Sequence, residues 1–559
     1  MNNHLNFNTT GLIVIGLISC TKENKIPVPA PSPDPRPNIL IISCEDLSPR
    51  LHCYGDSLGR TPHLDRLAAM GTIYNRAYAT TPVSAPSRSS IITGMYACSY
   101  GAQNMRTNNK SSVVGALDSL RYKDYFDLPL YDAIPPADVR CFSELMRQQG
   151  YYCTNNSKTD YNFAPPVTSW DENSKHAHWR NRPAGKPFFA VFNIMATHES
   201  QIWKQSNDTL ITDPNSVTVP PFYPDTKKIR TDIARIYDNM SRMDSAVGRI
   251  LQMLEEDSLT KNTIIMFYSD HGDGLPRYKR SIYETGLQVA FIIAKPENSD
   301  DGKRSNRLVS LIDVGPTVLT WAGIPVPDYM HGIPISDTVP AREYCYATAD
   351  RMDVAIDCSR SVCDSQYRYI RNYMPAVPFV QDIPYRNQMA TMQELYAFQK
   401  AGKFNGLQRQ WFAKTKPKEE LYDIINDPYN LRNLAELPAY KKVLDRMRNA
   451  HETWRNDVGD LSIVTEKEMI KQLWGGNTQP QTLLPAVTLQ NTGTDSILIG
   501  LTCATAGASI GYRFRSEGHS WNIYNTPFIA HAKAEDTLEV VAHRIGYKPS
   551  QPLTIYVKP

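Results

Sequence analysis

Three long, predominantly apolar stretches, each running into polar residues, constrain this chain more than anything else in it. Asn38-Ile39-Leu40-Ile41-Ile42-Ser43 leads to Glu45-Asp46. Phe188 to Met195 leads to Ala196-Thr197-His198-Glu199, and Thr263 to Ser269 leads to Asp270-His271-Gly272. A strand with one face in water alternates apolar with polar residues. One that is apolar throughout is buried on both faces, the mark of a parallel sheet covered by helices. Val289 to Ala294 adds another such run. Between Ile229 and Glu256, residues Ile233, Ile236, Tyr237, Met240, Met243, Val247, Ile250, Leu251 and Leu254 keep three-to-four spacing, which predicts a long helix with one apolar face. Thr61 to Ala68, Cys141 to Gln149 and Leu311 to Gly323 read as further helices, the first with Pro62 in its opening turn. An α/β enzyme of this kind places its chemistry at the C-terminal ends of its parallel strands. Glu45-Asp46 is therefore either a solvated turn or a buried acidic pair that needs a cation.

The stretch Pro82-Val83-Ser84-Ala85-Pro86-Ser87-Arg88-Ser89-Ser90-Ile91-Ile92-Thr93-Gly94 has a different character. Its spacing predicts a helix opening at Ser89 and closed by Gly94, with Arg88 turning back toward Ser84. A serine just ahead of a helix sits where free backbone N–H groups point, a seat suited to a nucleophile that handles an anion. The same spacing also describes an ordinary Ser/Pro loop capping a helix. Lys158, in Asn155-Asn156-Ser157-Lys158-Thr159-Asp160-Tyr161-Asn162, reads on its own as a solvated loop lysine.

Taken together, these motifs resemble the type I sulfatases. The Ser84–Gly94 stretch is similar to their (Cys or Ser)-x-Pro-Ser-Arg signature, whose first residue is oxidised after translation to formylglycine; with Ser84 there, the likeness is to the serine-type branch. Thr61-Pro62-His63-Leu64-Asp65-Arg66-Leu67-Ala68, Lys279-Arg280-Ser281-Ile282-Tyr283-Glu284-Thr285-Gly286 and Glu420-Leu421-Tyr422-Asp423 through Asn433-Leu434 resemble further family phrases. The resemblance covers about Asn38 to Val458. It implies an alkaline-phosphatase-like α/β fold: a mixed sheet sandwiched by helices, with a smaller C-terminal α+β subdomain.

The resemblance also implies a calcium ion held by Glu45, Asp46, Ser84, Asp270 and His271, and a catalytic set of Ser84, Arg88, Lys158, Asp160, His198 and Lys279. Glu45 departs from a family aspartate, Asp160 stands where the family has a histidine, and Gln288 stands where an arginine is common. The implied mechanism has hydrated formylglycine at position 84 attacking sulfur. Calcium, Lys158, Lys279 and Arg88 neutralise the sulfuryl oxygens, and His198 or Lys279 protonates the leaving group. Glu45-Asp46-Leu47-Ser48-Pro49 and the Asn155–Asn162 stretch look most like the branch related to heparan N-sulfatases, which implies a sulfated glycan such as heparin or heparan sulfate as substrate. Two other readings stay open. One is a phosphoryl hydrolase or transferase of the alkaline phosphatase superfamily with unmodified Ser84 and zinc. The other is a non-catalytic glycan-binding lipoprotein.

The ends of the chain read separately. Residues 1–20 hold a short apolar run, Gly11 to Ser19, followed by Cys20; Leu17-Ile18-Ser19-Cys20 resembles a bacterial lipobox, although no Lys or Arg precedes the run. Residues 21–37 are a Pro-rich tether. The expectation is an exported lipoprotein, periplasmic or at the outer membrane or cell surface, touching the membrane only through a lipid anchor at Cys20. A maturase that generates formylglycine and a sulfated saccharide are its expected partners. A formal charge of +3 on 559 residues gives no reason to expect nucleic acid. The ten cysteines show no paired C-x-x-C spacing of a zinc site, while some disulfides are open to an exported chain. The expected divisions are a catalytic domain at 38–340, an α+β subdomain at 341–477 and, from short strands at sandwich-like spacing, a terminal β-sandwich module at 478–559.

Overall fold

The structure is a computed structural model that describes residues 34–109, 121–296, 302–493, 496–518, 520–531 and 536–557. The signal segment, Cys20 and all but the end of the tether lie outside those residues. Residues 34–37 lie against the body: Arg36 pairs with Asp34 at 2.6 Å, donates to the Gln149 carbonyl at 2.7 Å and stacks over Tyr151.

Nine strands form one mixed sheet: β1 (Asn38–Cys44), β2 (Gly71–Tyr78), β3 (Tyr152–Asn156), β4 (Glu172–Asn173), β5 (Phe188–Ile194), β6 (Thr263–Ser269), β7 (Gln288–Val289), β8 (Phe291–Ala294) and β9 (Lys303–Ser310). Their order is β4-β3-β5-β1-β6-β8-β2-β7, with β9 beside β2. From β4 to β6 all neighbours run parallel, and β8 is antiparallel to both β6 and β2. β1 is central and buried at every position. Its alternating side chains explain the unbroken apolar run. Ile39 and Ile41 enter one core layer with the helices Ser84–Thr93, Phe142–Gln148 and Val314–Trp321. Leu40 and Ile42 enter the other with Pro62–Ala69 and Lys227–Glu256. Each such aliphatic side chain contributes about 1.5–3 kcal/mol when fully buried. In register, Cys44 stands opposite Ile194 and Ser269, so β1, β5 and β6 leave the sheet at one level.

Farther along, β10 (Cys345–Ala349), β11 (Ser359–Cys363), β12 (Tyr367–Asn372) and β13 (Glu419–Asp423) form an antiparallel sheet. The helix Lys441–Asp457 covers it through Leu444 and Met447, packed on Val362, Tyr369 and Leu421. Beyond it a three-stranded and a four-stranded sheet face each other across Ile497, Ile499, Leu501, Leu538 and Val540. Three of their strands, Asn522–Ile523, Phe528–His531 and Leu553–Val557, are not marked in the sequence, because each is short and partly exposed. This sandwich sits tightly on the body. A Cβ at Gly507 would stand 1.9 Å from the Ala137 carbonyl oxygen, and one at Gly546 would stand 2.4 Å from that of Ala133. The nine described cysteines are free thiols. No helix among the described residues is long and apolar enough to cross a membrane.

Candidate active site

Ser84 is the first residue of the helix Ser84–Thr93 and is buried, so the helix opens at Ser84 and not at Ser89. Pro86 falls within its first turn, where a missing N–H breaks no intrahelical bond. Every residue of this helix is buried, so no polar face marks its start. Gly94 ends it with φ of 69°. Arg88 does not turn back to Ser84. Its guanidinium donates to Glu45, to Asp270 at 3.2 Å and to Asn193 at 2.8 Å, because carboxylates are stronger partners for a guanidinium than a hydroxyl.

The acids come from the strand ends. In an extended chain Glu45 and Asp46 would point to opposite sides of the sheet. Asp46 instead adopts a left-handed φ of 47°, and both carboxylates serve one cluster. Ser84 Oγ lies 3.1 Å from Glu45 Oε2 and 3.2 Å from His271 Nε2. His271 Nε2 is 3.1 Å from Asp46 Oδ1, and Asp270 Oδ1 accepts the Asp46 N–H at 3.1 Å. Potential ligand atoms of Asp46, Asp270 and His271 lie within 4.8 Å of one another, as do those of Glu45, Asp46 and His198. This donor set, rich in carboxylate oxygen and buried, fits a hard divalent cation.

Cations surround the acids. Lys158 Nζ is 2.6 Å from Glu45 Oε2 and 3.4 Å from Asp160. Lys279 Nζ reaches both oxygens of Asp46, at 3.0 and 2.8 Å, and Glu199 at 3.1 Å. Burial pushes the Glu45 carboxyl up, but Arg88 and Lys158 outweigh it and hold Glu45 below the usual carboxylate range. Burial acts likewise on Asp46, where Lys279 and His271 prevail in the same direction. Both lysines are pushed down by burial and, more strongly, up by their carboxylates, so they stay charged. His198 is held below its ordinary value by burial and then by Lys279, which favours the neutral ring. Its Nδ1 lies 2.9 Å from Ser200 Oγ, and Tyr385 packs against it. Asp160 lies at the rim, with a left-handed φ of 53°.

Several residues that sequence reasoning passed over complete the arrangement. Glu199 is buried, donates its N–H to Asp46 at 2.7 Å and accepts two bonds from Arg280, at 2.9 and 2.8 Å. Burial raises its carboxyl, yet Arg280 and Lys279 bring it down to about 2. Asn193 links Arg88, Ser43 and Asn155. A lone asparagine inside the apolar run Phe188–Ile194 is the one signal that marked it. Gln288 bonds the Asn75 carbonyl, away from the acids. The largest cavity among those described, about 830 Å³ and lined by Asp350, Tyr373, Arg455 and Glu466, contains none of these site residues.

A helix N-terminus carrying a buried hydroxyl, set against an acidic cluster and flanked by lysines at the carboxyl ends of parallel strands, suits a hydrolase for anionic esters. The comparisons narrow this. The sulfatase family model matches residues 37–324, and a model for the C-terminal part of N-sulphoglucosamine sulphohydrolase matches residues 277–374. A protein of Formosa agariphila described as an ulvan-active sulfatase is 40% identical, covering 99% of this chain and 98% of its own length. Human N-sulphoglucosamine sulphohydrolase is 24% identical over 79% of this chain and 94% of its own. Among solved structures, a chain described as a 2-O GAG sulfatase superposes with a TM-score of 0.55 at 20% identity, covering 76% of this chain and 93% of that one. The phosphonate monoester hydrolase of Agrobacterium radiobacter shares the fold, with a TM-score of 0.52 at 16% identity, 76% of this chain and 96% of that one. The chain belongs to the sulfatase family and is a sulfuric ester hydrolase.

Proposed function

We propose that the protein removes sulfate groups from a sulfated glycan, with residue 84 converted to formylglycine and a calcium ion held by Glu45, Asp46, Asp270 and His271 beside it. The observation that carries this reading is the meeting of three strand ends with Ser84, inside a ring formed by Arg88, Lys158 and Lys279. The names of relatives support the substrate class: ulvan-active sulfatase, N-sulphoglucosamine sulphohydrolase, and a solved structure at TM-score 0.54 described as a complex with its substrate, D-glucosamine-2-N,6-O-disulfate.

An unmodified serine needs a neighbouring base to become a nucleophile. The nearest groups to Ser84 Oγ are Glu45 and His271, and both belong to the proposed cation site. Conversion to an aldehyde hydrate places a geminal diol in the same seat and removes the need for a separate base. A bound calcium ion would supply positive charge beside the sulfuryl oxygens and favour ionisation of that diol. Lys158 and Lys279, both charged, bind and orient the sulfate as charge builds on its oxygens. Lys279, which stays charged, gives a proton to the departing oxygen, with His198 as the other donor when its ring is protonated, and Asp160 stands by Lys158 to take a proton. The proposal includes export as a lipoprotein anchored at Cys20, maturation by a formylglycine-generating enzyme, and the division at 38–340, 341–477 and 478–559. The test is hydrolysis of an aryl sulfate against an aryl phosphate, with desulfation of defined sulfated saccharides. Faster turnover of the phosphate ester, with stoichiometric zinc, would overturn it.

A further inference from the structure

Beside the sulfate site lies a cavity of about 320 Å³, lined by Arg106, Asn108, Asp160, Tyr161 and Phe163 among others. That is near the lower end, roughly 300 Å³, of pockets that hold small ligands. Two routes tie it to the reacting centre. On one side Asp160 meets Lys158, which meets Glu45, which meets Ser84. On the other, Arg106 lies 3.6 Å from Asp353, which Arg280 shares at 3.1 Å on its way to Glu199 and Lys279.

Arg106 is held in an unusual way. Its φ is 66°, a left-handed conformation that costs an L-residue with a Cβ about 1–2 kcal/mol. The flanking backbone is fixed. The Met105 N–H donates to the Arg351 carbonyl at 2.8 Å, Arg351 Nη1 donates to the Met105 carbonyl at 2.7 Å, and the Tyr131 N–H donates to the Thr107 carbonyl at 3.0 Å. The guanidinium, so positioned, finds no hydrogen-bond partner for its buried Nε among the described residues. Its long contact with Asp353 is shared with a closer arginine. Arg280 is held by two bonds to Glu199 as well as by Asp353, whereas Arg106 has the shared Asp353 alone. Strain held by surrounding bonds at a cleft, around a charge lacking a full partner, marks a place kept for a ligand.

We propose that Arg106 and this cavity form a subsite for a second anionic group of the saccharide, a carboxylate or a further sulfate on the sugar unit next to the sulfate being removed. This rests on the sulfated-glycan reading above. The planar fork of a guanidinium pairs with either anion through two parallel bonds, and Asp160, which lines the same cavity, accepts from a sugar hydroxyl.

The test compares wild type with Arg106→Ala on an aryl sulfate, on a sulfated disaccharide carrying a uronic acid, on its carboxyl-reduced form and on a form with a second sulfate in place of the carboxylate. The variant is expected to lose about tenfold or more in kcat/KM on the anionic disaccharides beyond any loss on the aryl sulfate. Removing the anion from the substrate should cost the wild type a similar factor and the variant little more, and the form showing this coupling identifies the anion. Equal losses on every substrate, or anion removal costing both proteins alike, would overturn the subsite while leaving the sulfated-glycan reading intact. A wild type that cleaves aryl sulfate but none of the saccharides would overturn both. If Arg106→Ala melts early, Arg106→Gln provides the same comparison.

Discussion

Lys279 stands between the proposed cation site and the proposed sulfate site, and replacing it with methionine separates the two proposed roles. The side chain is 2% exposed and makes three charge-assisted contacts, two to Asp46 and one to Glu199. Breaking a buried ion pair by removing one partner costs about 3–5 kcal/mol. Here each carboxylate keeps other partners: Asp46 retains His271 and the Glu199 N–H, and Glu199 retains both bonds from Arg280. The expected loss of folding stability without metal is therefore about 2–3 kcal/mol, below the full penalty. Calcium should recover most of it, since the ion would neutralise the carboxylate that the lysine leaves. Catalysis should not recover. Losing a donor to the sulfuryl oxygens removes about 2–4 kcal/mol of transition-state stabilisation, roughly 30- to 900-fold in kcat/KM. The assay pairs thermal unfolding with and without calcium against aryl sulfate kinetics at saturating calcium. Near-normal turnover in Lys279→Met, or a melting point that calcium does not raise, would refute the reasoning.

Two further predictions concern the body of the protein. His451 is buried against Tyr369 and Tyr373, and burial, with Arg360 and Arg455 nearby, depresses it to about 4. A depressed pKa gives stability that is whole above the unfolded value near 6.5 and is lost as pH falls toward 4. Wild type should therefore lose about 2–3 kcal/mol over that window relative to His451→Phe; parallel curves of unfolding midpoint against pH would contradict this. Gly507→Ala forces a side chain at φ of 78° against the Ala137 carbonyl, so the terminal sandwich should undock at a cost of about 2–4 kcal/mol, read as faster proteolytic release of the segment beyond Thr478. Unchanged protease resistance would show that the interface adapts.

The central strands were legible because β1, β5 and β6 are buried on both faces, and burial of that kind leaves no polar alternation to misread. The helix at Ser84 was misplaced for a related reason. With every residue buried and Pro86 inside the first turn, neither periodicity nor a breaker marked its beginning. In the site, the acids at the strand ends follow from sheet topology, while Lys158, Lys279 and His198 were singled out only through resemblance, since a lone lysine in a loop has no signature of its own. Glu199, Arg280 and Arg106 were not legible, and Asn193 was marked only by standing alone in an apolar run. Their partners lie far away in sequence, and what distinguishes them is which carboxylate they share. Arg88 shows the same limit, because local spacing pointed it at Ser84 while long-range charge drew it to Glu45 and Asp270.

The chemical state of residue 84 decides the proposed mechanism more directly than any other property of the protein. The decisive measurement is the mass of the peptide spanning Pro82 to Arg88, taken from active protein alongside its rate of sulfate ester hydrolysis. The prediction is a fraction lighter than the serine form by two hydrogens, with activity rising in proportion to that fraction and near zero in protein made without a serine-oxidising maturase. Full sulfatase activity from protein carrying only unmodified serine would contradict it.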